Sequence, residues 1–132
     1  MNRVGRVLLL SVAFAALAAG CRTAPIMNVT DAQVVVASGK TVSTQDVAQA
    51  ITRAGESLGW RIVPLSPGQL QGTLNLAGRH IAVVDIAYST KSYSIRYKES
   101  VNLNYTGSEI HPNYNVWVQQ LDNAIRSQLL AL

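Results

Sequence analysis

The chain has 132 residues, of which 48% are hydrophobic and 14% charged, and its 11 Lys and Arg against 7 Asp and Glu give a formal net charge of +4. This length fits one domain that can bury its own core. Beyond the N-terminal stretch the basic residues are spread singly from Arg22 to Arg126, which argues against nucleic-acid binding because that function needs a concentrated basic patch. A single cysteine excludes an internal disulfide.

The first 20 residues have the three-part pattern of a secretory signal. Arg3 and Arg6 form a positive start, residues 7–19 are an apolar run broken only by Ser11, and small residues follow. This run is too short to cross a membrane, which needs roughly 20 apolar residues. We therefore expect residues 1–20 to be cleaved off, which leaves nine basic against seven acidic residues.

The chain's one cysteine, Cys21, directly follows these small residues. The stretch Leu17-Ala-Ala-Gly-Cys21 resembles the lipobox of bacterial lipoproteins, which implies an acylated cysteine and attachment to a membrane through its acyl chains, each methylene contributing about 0.8 kcal/mol. Arg22 and the residues after it lack the Asp that retains enterobacterial lipoproteins in the inner membrane. The resemblance therefore implies the periplasmic face of the outer membrane, with the periplasmic face of the inner membrane as the alternative. An ordinary cleaved signal beside an unmodified cysteine is the competing interpretation.

Residues 22–31 have no hydrophobic period and contain Pro25, so together with Cys21 they are predicted to form a lipidated tether. The remaining residues, 32–132, are predicted to form a single α+β domain. Its first element is a short β-branched strand at 33–37. Ser43 followed by Asp46 is typical of a capping box, and helical spacing then continues to a stop at Gly59.

A strand at 60–65 follows, and then three stretches that alternate apolar and polar residues, 70–76, 81–88 and 93–105. This pattern predicts an antiparallel meander with one buried and one wet face. A loop at 89–92 pairs apolar residues across two of the strands: Tyr88 with Tyr93, Ile86 with Ile95, and Val84 with Tyr97.

The same register places Asp85 opposite Arg96, a favourable charge pair on the wet face. A three-residue loop at 78–80 would pair Leu74 with Val84.

The last element is a helix with apolar residues at helical spacing from Tyr114 to Leu129 and with Asn113 or Asn115 as its cap. Two amphipathic helices and one meander predict a two-layer α+β sandwich. It has an antiparallel sheet of about four strands, a short additional N-terminal strand, and both helices on one face.

Two residues of the last predicted strand are candidate ligand contacts. Glu99 is the charged residue on the strand's apolar face, opposite Ala82, where it is either a functional carboxylate in a pocket or a rim residue that reaches water. Tyr97 belongs to an aromatic set that either lines a groove between sheet and helices or fills the core.

Two further candidates, Asp85 and Arg96, lie on the polar sheet face. Polar side chains surround Ile81 and Val83 there, as in a small protein interface. The alternative is a solvated face without a partner.

His80 and His111 have no third ligand at metal-binding spacing, and no Ser, His and carboxylate group together in the sequence. We therefore predict no metal, no cofactor and no catalytic residue.

The tracts 93–105 and 110–121 resemble those of small lipoproteins of proteobacteria for which no activity is established. The resemblance implies the lipoprotein class and adds no site residues. Our first hypothesis is a non-enzymatic binding or adaptor lipoprotein with an envelope protein as partner. The alternatives are a carrier or sensor of a small ligand held between sheet and helices and, third, a hydrolase with Glu99 and a histidine in one cleft.

Overall fold

The computed structural model describes residues 22–132, which form a two-layer α+β sandwich. The elements in chain order are β1 (Ala24–Pro25), β2 (Val29–Gln33), α1 (Thr44–Ser57), β3 (Trp60–Ser66), β4 (Gln69–Leu76), β5 (His80–Tyr88), β6 (Ser92–Val101), β7 (Glu109–Ile110) and α2 (Pro112–Leu130). Cleavage of a signal and acylation of Cys21 concern residues 1–21, which lie outside the described residues. Within 22–132 neither helix combines the length and the apolar character that a membrane span requires.

Five strands form one antiparallel sheet in the order β2-β6-β5-β4-β3, and β1 pairs with β7 in a separate two-stranded sheet. Strands β3 to β6 are the predicted meander. Strand β2 lies beside β6, so α1 carries the chain across the sheet from one edge to the other. The predicted α+β sandwich is confirmed, with the β1–β7 pair as an addition.

Helix α1 begins where the sequence predicts because Ser43 caps it. The Ser43 hydroxyl accepts a hydrogen bond from the Asp46 backbone N–H at 3.1 Å, and the Asp46 carboxylate accepts one from the Ser43 N–H at 2.9 Å. That second bond is the main reason that the pKa of Asp46 lies below its usual value. Gly59, with φ of 87°, then turns the chain from the end of α1 into β3.

Helix α2 is capped by His111, whose Nδ1 accepts a hydrogen bond from the Asn113 backbone N–H at 3.1 Å. Pro112 occupies the first helical position, where its missing N–H leaves no bond unmade. The predicted cap at Asn113 or Asn115 is therefore wrong. The Asn115 side chain binds the N-terminal segment instead.

The core lies between the sheet and the two helices. Side chains from all layers are fully buried there, among them Val47, Ile51, Val84, Ile86, Ile95, Leu121 and Ile125. Helix α1 approaches β3 so closely at Gly55 that a Cβ added there would lie 2.5 Å from Cδ1 of Ile62. Glycine is thus required for this contact unless Ile62 moves.

The β5–β6 register is as predicted from the turn through Val84: Tyr88 pairs with Tyr93, Ile86 with Ile95, Asp85 with Arg96, and Val84 with Tyr97. The next residue of β5, Val83, pairs with Glu99, so Lys98 is an extra residue in β6. This is a β-bulge, and it reverses the faces of the residues that follow.

Strand β6 also ends earlier than the alternating pattern predicts. It stops at Val101, because Asn102 and Asn104 adopt left-handed backbone angles with φ of 58° and 53°. Leu103 between them is nevertheless buried.

The β4–β5 hairpin has the predicted loop length but a different register. Leu76 pairs with His80, and Leu74 pairs with Ala82 rather than Val84. The loop is therefore 77–79 instead of 78–80, because Ala77 takes a left-handed φ of 57° next to Gly78. The shift is two residues, so the buried face of β4 stays the same.

The prediction that residues 22–31 are a free tether is wrong. Ala24 pairs with Ile110 in the small sheet, and Val29 pairs with Ile95 at the edge of the main sheet. The strand predicted at 33–37 lies earlier, at Val29–Gln33, since the main sheet pairs β6 with these residues and not with the β-branched run after them. The folded domain thus starts within a few residues of Cys21.

Candidate functional site

The sheet face opposite the helices carries three of the four predicted contact residues. Cross-strand pairing arranges it in rows across β4, β5 and β6: Gln71-Asp85-Arg96, Thr73-Val83-Glu99, and Asn75-Ile81-Val101. We call these residues, with Lys98, the outer sheet face. Asp85, Arg96 and Glu99 therefore share one surface, although only the first two were expected there.

Glu99 reaches the outer sheet face because of the bulge at Lys98. Ser100, not Glu99, stands opposite Ala82. The prediction that Glu99 lies on the apolar face in a pocket is therefore wrong, and its side chain is exposed. One extra residue in a strand exchanges the two faces beyond it.

Lys98 contacts two other polar side chains of the outer sheet face. Its Nζ donates a hydrogen bond to Oε1 of Gln71 at 2.8 Å and lies 3.8 Å from Oδ1 of Asp85. Arg96 stands directly opposite Asp85, as predicted, but the ion pair at Asp85 is the one with Lys98. Both partners are about two-fifths exposed, at 41% and 42%, so the pair contributes roughly 0–1 kcal/mol and its charges stay available to a partner.

The centre of the outer sheet face is apolar. Val83 is only 6% exposed although no helix covers it, and Val101 beside it is 46% exposed. Ile81, which pairs with Val101 in the row next to that of Val83, is half-buried. An apolar centre within a charged and polar rim is the arrangement of a protein–protein interface.

Tyr97, the fourth predicted contact, lies on the opposite, helix-covered face. Its ring stacks on Tyr105 at a centroid distance of 4.1 Å and meets Tyr114 edge-on at 5.6 Å, and its hydroxyl lies 2.8 Å from Oγ of Ser100. Burial raises the pKa of Tyr97. Tyr97 and Glu99 therefore lie on opposite faces of the sheet and do not line one pocket.

A buried polar cluster that the sequence pattern did not predict joins the sheet to α2. Asp122 is 5% exposed, and its Oδ1 accepts a hydrogen bond from the Tyr93 hydroxyl at 2.5 Å while Oδ2 accepts one from Nε of Arg126 at 3.2 Å. Burial, reinforced by the bond to Asp122, raises the pKa of Tyr93. Each oxygen of the carboxylate has a partner within the domain, so the cluster stabilises the packing of α2 on the sheet.

The two histidines lie at one cleft, which their separation in sequence did not reveal. His80 begins β5 and His111 caps α2, and both line a cleft of about 150 Å³. The hydrolase hypothesis requires Glu99 and a histidine in one cleft. Glu99 lies on the other face of the sheet and does not line this cleft. No three His, Cys, Asp or Glu side chains between residues 22 and 132 are grouped to hold a metal ion.

The N-terminal segment is held by the first turn of α2 and by the residues just before it. The Asn115 side chain accepts a hydrogen bond from the Met27 N–H and donates one to the Pro25 carbonyl, each at 2.9 Å. Ile26 donates a backbone hydrogen bond to the Ser108 carbonyl at 3.0 Å. Ala24, where β1 begins, is three residues after Cys21. Three residues span at most roughly 10 Å, so the part of the domain around β1 lies close to Cys21.

Comparison with protein-family models, curated proteins and solved structures finds no match for this chain.

Proposed function

We propose that this chain is a lipoprotein of the cell envelope, acylated at Cys21 and anchored at the periplasmic face of the outer membrane. The stretch Leu17-Ala-Ala-Gly-Cys21 supports this proposal through its resemblance to a lipobox. The early start of the fold fits it too. Because β1 begins at Ala24, an anchor at Cys21 would keep the domain against the membrane surface instead of on a long tether.

In this proposal the domain is a non-enzymatic adaptor, and its partner is another protein of the envelope. The observation that carries it is the outer sheet face, an uncovered surface on which Ile81 and Val101 form an apolar patch beside side chains of both charge signs. Mixed charges around an apolar centre favour a protein partner with complementary charges over a uniformly charged one.

Site-specific photo-crosslinking in native membranes tests the partner. A photoreactive amino acid at Thr73, in the row of Val83, is predicted to capture one defined protein. The same probe at Gln49, exposed on α1, is the matched control on the helix side. Equal labelling from both positions, or none from Thr73, would count against the outer sheet face.

Charge reversal tests the rim of the same surface. Lys98→Glu would place a second carboxylate beside Asp85. A partner whose charges complement Lys98 would then be repelled, so the variant should abolish most of the Thr73 crosslink. Lys40→Glu makes the same charge change on the exposed loop before α1. An unchanged crosslink in the Lys98 variant would show that the rim does not contact the partner.

A further inference from the structure

The cleft beside the start of α2 has its own chemistry. It is lined by Leu76, His80, Leu103, His111, Asn113 and Trp117 and has a volume of about 150 Å³. We call it the histidine cleft. It is separate from the outer sheet face, so a ligand bound in it would be independent of the proposed function.

The hydrogen-bond partners of the two histidines fix their tautomers. Nδ1 of His80 lies 3.1 Å from the Asn102 carbonyl oxygen, which only accepts, so this nitrogen carries the hydrogen. Nδ1 of His111 accepts the backbone N–H of Asn113 at 3.1 Å, so this nitrogen is unprotonated. In a neutral imidazole the other nitrogen has the opposite role. Nε2 of His80 is therefore an acceptor, and Nε2–H of His111 is a donor.

This pairing of one acceptor with one donor disfavours a metal ion. A metal needs a lone pair from each ring, and His111 could supply one at Nε2 only by moving its proton to Nδ1. It would then lose the bond that caps α2. A neutral group that both accepts and donates matches the hydrogen-bonding roles of both rings as they stand.

A secondary amide is such a group. Its carbonyl oxygen would accept from Nε2–H of His111, and its N–H would donate to Nε2 of His80. An attached methyl group would contact the apolar walls at Leu76 and Leu103. Trp117, half-buried at the same cleft, offers the apolar surface of its ring to a neighbouring sugar ring.

We propose that the histidine cleft binds the N-acetyl group of an acetamido sugar. The small volume of the cleft suits one such group and excludes several successive side chains of an extended peptide.

Nuclear magnetic resonance with triacetylchitotriose as the probe tests this proposal on residues 21–132 and on the full chain. The indole N–H signal of Trp117 should shift saturably, while that of Trp60, which is 3% exposed, should not. Maltotriose, a sugar trimer without N-acetyl groups, should leave both signals unchanged.

Histidine-to-asparagine variants separate the two ring nitrogens. His80→Asn and His111→Asn each keep an amide near the position of Nδ1, which preserves the bond to the backbone, and each removes Nε2. Each should weaken the binding of triacetylchitotriose about tenfold, the effect of one ordinary hydrogen bond, with an unchanged melting temperature.

The proposal is overturned by absence of a saturable Trp117 shift, by equal shifts with maltotriose, or by unchanged affinity in both asparagine variants. It is also overturned if Ni²⁺ or an acetylated tripeptide shifts the Trp117 signal at lower concentration than the sugar. If an asparagine variant unfolds, His80→Gln, which restores a polar acceptor near Nε2, must bind more tightly than His80→Ala.

Discussion

Tyr93 on β6 donates its phenolic hydrogen to Asp122 on α2 at 2.5 Å, and both side chains are buried. This bond joins the two layers of the sandwich. A buried donor or acceptor that loses its partner costs about 1–3 kcal/mol, so the pair fixes how α2 packs on the sheet.

Tyr93→Phe is expected to lower the free energy of unfolding by about 1–3 kcal/mol, because it leaves one oxygen of Asp122 buried without a partner. Urea unfolding measures this change. Tyr105→Phe is the matched control, since the Tyr105 hydroxyl makes an exposed bond at 3.3 Å, and it should stay within about 0.5 kcal/mol of the parent. Wild-type stability of the Tyr93 variant would show that the bond contributes nothing.

Tyr114 differs from Tyr93 because its buried hydroxyl has no hydrogen-bond partner within residues 22–132. Tyr114→Phe removes that hydroxyl while keeping the ring and its edge contact with Tyr97. In the same urea experiment we therefore expect the free energy of unfolding to stay the same or to rise by up to about 1 kcal/mol. A loss above about 1 kcal/mol would mean that the hydroxyl is satisfied in solution.

The two buried tyrosines also predict instability at high pH. Burial raises the pKa of both Tyr93 and Tyr114 above the ordinary value of 10.0. Below that value both folded and unfolded chains keep the phenolic proton, so stability does not depend on these groups. Above it only the unfolded chain loses the proton, and stability falls by about 1.4 kcal/mol per pH unit for each tyrosine.

Urea unfolding between about pH 9 and pH 11 measures this slope. Tyr114→Phe should remove the contribution of one tyrosine and make the decline shallower. A decline that begins well below pH 10, or a slope unaffected by the variant, would assign the alkaline loss to other groups.

Asn115 is predicted to hold the N-terminal segment in place. Asn115→Ala removes both side-chain bonds to Pro25 and Met27, so amide hydrogen exchange at Ile26 and Met27 should accelerate about tenfold or more. Exchange in α1 should not change. Asn123→Ala, which removes an exposed bond to Gln119 on the same helix, is the control that should leave the N-terminal segment unaffected.

The sequence was sufficient for the features that repeat along the chain. Alternation over β5 and β6 predicted the pairs Ile86–Ile95 and Asp85–Arg96, because a one-residue slip would have buried the polar face. The capping box at Ser43 and Asp46 likewise placed the start of α1, since both of its bonds are local.

Features set by a single residue or by distant contacts were not predictable in this way. The extra residue Lys98 leaves the polar and apolar composition of β6 unchanged, so nothing indicated that Glu99 changes face. Strand β1 is two residues long and contains Pro25, and only its pairing with β7 makes it a strand. No local pattern marks Asp122 as a buried residue, because its partner Tyr93 is 29 positions away.

The proposed membrane anchor at Cys21 underlies the whole proposed function, and intact mass with membrane fractionation of the protein from its native cell tests it. We predict a mass that lacks residues 1–20 and includes acyl groups, with the protein in the membrane fraction and a Cys21→Ala variant released from it. An unmodified wild-type protein in the soluble fraction would contradict the anchor. It would also remove the argument that places the outer sheet face near a membrane.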